Sequence, residues 1–270
     1  MRTRVAAARQ WSGNGIAAIQ RGAVREAREY FAKASTQTPH DHRIVANVAR
    51  THFQEGQTSL AIEAMKRAVA INGNDADLMV ELGEYYLADG QTEKAQQIVD
   101  RSLEKNYRLA SAWLLKGKIH TAKGEYQTAL NDFQKSLGID SSREDTQLQI
   151  VETYRNIGDP LRALSAVEQL LEKYPLDRQP ESAIIEKSAA LVQLGQHSAA
   201  TEILRMAAGR SDVSSEIFTA LAKSQILSQD KKMAWQTLVE ANKRFPNDAK
   251  VTQIMSDIQS ADPPKVASLK

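Results

Sequence analysis

The apolar positions of this chain recur on a fixed period. Alanine stands at Ala27, Ala61, Ala95, Ala129, Ala163, Ala200 and Ala234, in steps of 34, 34, 34, 34, 37 and 34 residues. Twelve residues before each comes a mostly small residue: Gly15, Ala49, Gly83, Gly117, Val151, Ser188 and Ala222. Four residues after it comes a bulky apolar one (Phe31, Met65, Val99, Phe133, Val167, Leu204, Leu238). Seven after it the series is Ala34, Ala68, Ser102, Ser136, Leu170, Ala207 and Ala241. Offsets of four and seven share one face of a helix. Five residues before the alanine, six units carry glycine (Gly22, Gly56, Gly90, Gly124, Gly158, Gly195) and the last carries Gln229. A glycine recurring between two helical stripes marks a backbone that turns through positive φ as a helix ends. Each unit is therefore predicted to be a hairpin of two antiparallel helices. Small residues let the two backbones approach, and the bulky residue fills the space beside them. The fold class expected is all-α: an α-solenoid of about seven hairpins, each covering its neighbour's apolar side.

Counting from these slots places the units at 8–41, 42–75, 76–109, 110–143, 144–177, 181–214 and 215–248, after a basic lead-in at 1–7. The first unit is the weakest, because Gly13 and Gly15 each cost about 1 kcal/mol against alanine inside a helix. It is expected to fray or to lean on something upstream. In the fifth, Asp159 and Pro160 read as N-cap and first helical residue. Residues 178–180 are extra, so the register slips by three; this predicts a bend rather than a domain boundary. Val251, Ile254, Met255 and Ile258 then fall on one stripe, which predicts a capping helix at 249–260. Residues 261–270 hold Pro263 and Pro264 and no periodicity, and are read as a disordered tail.

The pattern resembles the tetratricopeptide repeat. Unit three supplies Met79, Leu82, Gly83, Tyr86 and Ala95, and unit four Trp113, Gly117, Ala129 and Phe133, at that family's spacing. Pro39, Pro175 and Pro246 close units one, five and seven. The resemblance covers 8–248. It implies a right-handed superhelix whose first helices line a concave groove that holds an extended peptide. Carried over residue by residue, the groove candidates are Arg43, Asn47, Arg50, Phe53, Val80, Glu84, Leu87, Leu114, Lys118, Leu148, Glu152, Arg155 and Ile185. Asp77, Glu81, Thr121, Val192, Lys223 and Ile226 form a wider set. Val80, Leu114, Leu148 and Ile185 occupy one slot in successive units and predict an exposed apolar row. The family's clamp for chaperone C-terminal tails is not expected. Asn47 fits it, but Ser12, Ile16, Asp77 and Glu81 hold the other slots, and the two acids would repel a terminal carboxylate.

Composition narrows the chemistry. Lys and Arg total 35 against 33 Asp and Glu, a net charge of +2, which carries no footprint for nucleic acid. Cysteine is absent, so disulfides and thiol catalysis are excluded. No apolar run approaches the roughly 18 residues of a membrane-spanning helix, and no direct membrane insertion is expected. Arg2, Arg4, Arg9, Arg21 and Arg25 give an acid-poor start, but that segment already holds the slots of unit one. Gly13-Asn-Gly15-Ile-Ala-Ala18 lacks the preceding strand a dinucleotide fingerprint needs. His40-Asp41-His42 reads as a polar turn, and His52 and His120 as packed, hydrogen-bonded histidines. Asn72–Asp77 reads as a turn and helix cap rather than a calcium loop.

No catalytic, metal or cofactor-binding residues are expected. The function expected is a non-catalytic protein-interaction scaffold or adaptor that binds a peptide along its concave face. The alternative is the recognition arm of a larger enzyme complex or cell-envelope assembly system, with the catalytic or anchoring part outside this chain. A cytoplasmic location is the default. A membrane-tethered or periplasmic one would follow from an upstream segment.

Overall fold

The computed structural model of the chain describes residues 2–261. Among the described residues there are fifteen α-helices, one turn of 3-10 helix and no strand. Two compact units divide the chain, Met1–Ser142 and Arg143–Lys270. The first holds α1 (Arg2–Gln20), α2 (Val24–Gln37), α3 (His42–Gln54), α4 (Thr58–Ile71), α5 (Ala76–Ala88), α6 (Thr92–Lys105), α7 (Ala110–Ala122) and α8 (Tyr126–Ile139). The second holds α9 (Glu144–Ile157), α10 (Pro160–Leu171), α11 (Glu181–Gln193), α12 (His197–Ala208), α13 (Ser215–Leu227), α14 (Lys231–Arg244) and α15 (Ala249–Ala261). The division falls at the border of the fourth and fifth sequence repeats. The three extra residues, 178–180, lie inside the second unit, the first of them closing a 3-10 turn at Leu176–Arg178. There Arg210 Nη1 donates to the Gln179 carbonyl at 2.8 Å and ties down the link.

Every hairpin turn is built alike. Gly56 takes φ +75°; its N–H donates to the Phe53 carbonyl, and the following Gln57 N–H reaches back to His52 at 2.9 Å. This pair of bonds satisfies carbonyls that the helix end would leave open. The seventh hairpin makes the same bonds, Gln229 to Ile226 and Asp230 to Gln225. Gln229 must therefore hold φ +63° with a Cβ in place, a conformation that costs a non-glycine residue about 1–2 kcal/mol.

In the first and fourth repeats the small slot and the bulky slot meet face to face. A Cβ built on Gly15 would lie 2.6 Å from the Phe31 ring, and one on Gly117 2.3 Å from the Phe133 ring. The two units with phenylalanine in the bulky slot thus carry glycine in the small one. The seven alanines are all completely buried. Ser102 and Ser136, in the slot seven residues on, donate to the carbonyls of Ala76 and Ala110 at 2.8 and 2.9 Å.

Adjacent hairpins share their cores. Val80 of α5 packs with Ala95 and Val99 of α6 and with Trp113 and Leu115 of α7. In the second unit α15 lays Val251, Ile254, Met255 and Ile258 against the core beneath it. At the other end α1 begins at Arg2, so the helix takes in most of the segment expected as a lead-in. Both Gly13 and Gly15 lie within it. The tail expected as disordered falls, from 262 onward, outside the described residues. Asp41, Asp75 and Asp159 cap α3, α5 and α10 through their side chains.

Candidate functional site

The first helices of the hairpins carry the predicted groove residues. In the first unit these come from α3, α5 and α7. Arg50 forms a two-pronged ion pair with Glu81, Nε to Oε2 at 2.8 Å and Nη2 to Oε1 at 2.6 Å. Its remaining nitrogen donates to Asn47 Oδ1 at 2.7 Å. Glu81 holds the Arg50 guanidinium more firmly protonated than an isolated arginine. Phe53 stacks on Tyr85, ring centres 4.2 Å apart, and burial drives the Tyr85 hydroxyl well above its ordinary pKa. Arg43 and Glu84 are exposed, and Leu87 and Lys118 half-buried.

The apolar row expected at Val80, Leu114, Leu148 and Ile185 is not exposed as a row. Val80 and Leu114 are buried, with 4% and 3% of their surface accessible. Val80 is part of the core between two hairpins, so in this unit the slot serves stacking. Leu148 and Ile185, in the second unit, stay half-buried against the core. Helical periodicity gives their common direction; it does not give the size of the neighbours that cover them.

In the second unit α11 and α13, with contributions from α9 and α15, enclose a cleft of about 540 Å³. Its apolar lining includes Ile185, Ala189 and Val192 of α11 and Ala220 and Leu227 of α13. Leu227 keeps 51% of its surface exposed. Three cations border it: Arg155, Lys223 and Lys250. Arg155 Nη1 donates to Glu186 Oε2 at 2.7 Å, but its Nε is buried without a hydrogen-bond partner. Lys250 pairs with Glu216 at 2.6 Å. Lys223 is exposed and makes no ion pair with a described residue. Burial raises the Glu186 carboxyl above its ordinary range, Arg155 pulls it back in part, and Glu152 pushes it up again. Glu152 itself accepts from Gln149 Nε2 at 3.1 Å.

Of the predicted groove residues, the structure thus brings Arg155 and Ile185 into one cleft, together with Val192 and Lys223 of the wider set. It joins Asn47 to Arg50, and it places Phe53 on Tyr85. The cleft residues absent from the sequence-based set include Ala189, Ala220, Leu227 and Lys250. Lys250 sits on the helix that follows the last repeat, where no repeat slot predicts its direction. Leu227 sits in the final turn of α13, where the slot pattern has already run out.

Two histidines are hydrogen-bonded within the fold. His52 Nδ1 lies 2.6 Å from Gln57 Oε1, and His120 Nδ1 lies 2.7 Å from the buried Asp132 carboxylate. Among the described residues no helix is long and apolar enough to cross a membrane.

Three sequence models described as tetratricopeptide repeat match the chain, over residues 13–76, 52–119 and 110–143. No curated protein sequence matches it. Among solved structures, a tetratricopeptide repeat protein from Parabacteroides merdae superposes on 94% of this chain and 99% of its own, with TM-score 0.73 and 14% identity. Yeast Tom70 covers 96% of this chain and 54% of its own, with TM-score 0.72 and 14% identity. A thermophilic tetratricopeptide repeat protein of Thermus thermophilus covers 69% of this chain and 100% of its own, with TM-score 0.60 and 22% identity. With the period and the seven left-handed hairpin turns, these likenesses lead to one assignment: the chain is a tetratricopeptide repeat protein, matched by sequence over residues 13–143 and by fold over 94% of its length.

Proposed function

We propose that this chain is a protein-interaction scaffold, and that the inner cleft of its second unit holds an extended segment of a partner protein. The tetratricopeptide repeat fold supports an interaction role in general. One structural neighbour, at 19% identity, TM-score 0.60 and 42% coverage of its own chain, is a subunit in a crystal structure titled as the APC/C hetero-tetramer Cut9-Hcn1. The finer reading rests on the cleft between α11 and α13, which offers apolar surface and polar groups side by side. Val192 and Leu227 present surface that a partner's aliphatic side chain could cover. Burying roughly 100 Å² of apolar surface contributes about 2.5 kcal/mol. Lys223 and the unsatisfied Arg155 Nε supply donors for a carboxylate or backbone carbonyl beside it.

The test is affinity capture from the source cell with wild type and with Val192→Glu, Leu227→Glu. Each change puts a carboxylate where an apolar group would dock, and circular dichroism checks that the helices remain. Loss of specific partners in the variant supports the reading. Capture of the same partners at the same strength by a folded variant removes the inner cleft as the binding surface.

A further inference from the structure

A second surface lies on the other helices. In the first unit, α4 and α6 border a cleft of about 590 Å³. Its floor includes the buried side chains of Val69, Leu82 and Ile98, and its walls carry Lys66, Lys94 and Arg101, with no carboxylate among the lining residues. Lys66 and Arg101 are exposed and make no ion pair with a described residue. Lys94 donates to Gln91 Oε1 at 2.6 Å and stands 5.7 Å from the centre of the Tyr86 ring. Arg67, next to Lys66, is likewise exposed and unpaired.

Other cations of the unit do pair with acids, Arg28 with Glu55, Arg50 with Glu81, Lys116 with Asp100 and Lys135 with Asp132, while Arg43, Lys118 and Lys123, like Lys66 and Arg101, make no ion pair with a described residue. Asp100 precedes Arg101 but is taken by Lys116 Nζ at 2.7 Å. Glu63 lines the adjoining cleft with Val48 and His52 and pairs with neither Lys66 nor Arg67. Lys66, Lys94 and Arg101 thus meet along one groove whose lining holds no carboxylate. Like charges so placed repel each other in the free protein and attract an anionic partner.

We propose that the groove between α4 and α6 docks an acidic peptide segment with interspersed aliphatic residues. Carboxylates meet Lys66, Lys94 and Arg101, and an aliphatic side chain rests on the exposed Ala70 beside them. The lining favours peptide over nucleic acid. Single-stranded nucleic acid needs open aromatic faces for its bases, and the one aromatic side chain in this groove, Tyr86, has Lys94 over its ring.

Fluorescence anisotropy of the full chain with a labelled (Glu-Val-Glu-Ala)3 peptide tests this. The arms are wild type; Lys66→Glu, Arg101→Glu; and Lys232→Glu, an exposed position of α14 outside both clefts. Expected is saturable binding that weakens with salt, falls about tenfold or more on the double reversal, and is unchanged by Lys232→Glu. Lys66→Gln, Arg101→Gln, which adds no new charge, repeats the test should the reversal disturb the circular dichroism. The proposal is overturned by absence of peptide binding or by equal binding of the (Gln-Val-Gln-Ala)3 peptide. Equal losses in the two charge variants would also overturn it. So would a single-stranded oligonucleotide or anionic vesicles binding more tightly through Lys66 and Arg101. Because the Val192→Glu, Leu227→Glu capture reports the inner cleft separately, failure here leaves the scaffold reading to its own test.

Discussion

Substituting alanine for Gly117 adds one methyl group to α7, and the structure places that methyl 2.3, 2.5 and 2.8 Å from three carbons of the Phe133 ring. Phe133 is fully buried, so the ring must move by about an ångström to restore van der Waals contact, and packed interiors resist such a shift. Overpacking of this kind costs about 1–3 kcal/mol, and an overlap this deep belongs at the upper end. Alanine returns about 1 kcal/mol of helix propensity, leaving a net loss of about 2 kcal/mol. Gly13→Ala is the matched control. It too lies inside a first helix, yet its Cβ meets nothing within 4 Å, so only the propensity gain of about 1 kcal/mol remains. Urea unfolding followed by circular dichroism should therefore move the two midpoints in opposite directions. Phe133→Leu removes the ring edge, and in that background Gly117→Ala should lose most of its cost, giving a non-additive cycle. If Gly117→Ala is as stable as wild type, or the cycle is additive, the small-against-bulky account of the hairpin core is wrong.

Three further outcomes follow from individual side chains. Gln229→Gly relieves the left-handed strain of the last hairpin turn, less the glycine's extra unfolded-state entropy. It should raise stability by about 0.5–1 kcal/mol, read as a higher melting temperature. Ser136→Ala leaves the buried Ala110 carbonyl without its donor and should cost about 1 kcal/mol, with Ser102→Ala costing the same at Ala76; no shift in either unfolding midpoint would count against these bonds. Burial lifts Glu186 above its unfolded-state pKa, so the native state binds the extra proton. Its contribution to stability is present at low pH and is lost as pH rises through the raised value. Glu186→Gln, which cannot titrate, should gain on wild type as pH rises from about 4 to about 7, and a flat difference across that range refutes the desolvation argument.

The sequence alone was enough for the helices, their turns and the residues that close each hairpin. Those features depend on neighbours within one period: a glycine five residues before an alanine, an offset of four or seven on one face, an aspartate before a helix. Because they recur seven times, accidental matches cancel and the true slots add. The inner surface obeyed no such rule. Val80, Leu114, Leu148 and Ile185 share a slot, yet two are buried and two remain half-open, because cover depends on which side chain the adjoining helix presents. Arg50, a groove candidate, is held by Glu81 of the next first helix, a pairing that the repeat slots do not give. The basic groove of α4 and α6 was equally silent, since its cations come from two repeats and only the packed helices bring them to one cleft whose lining holds no carboxylate. Periodic, short-range packing is written in the chain. Which surface side chains are left unpaired emerges only when whole helices are laid side by side, because Coulomb and contact energies depend on distances the sequence does not contain.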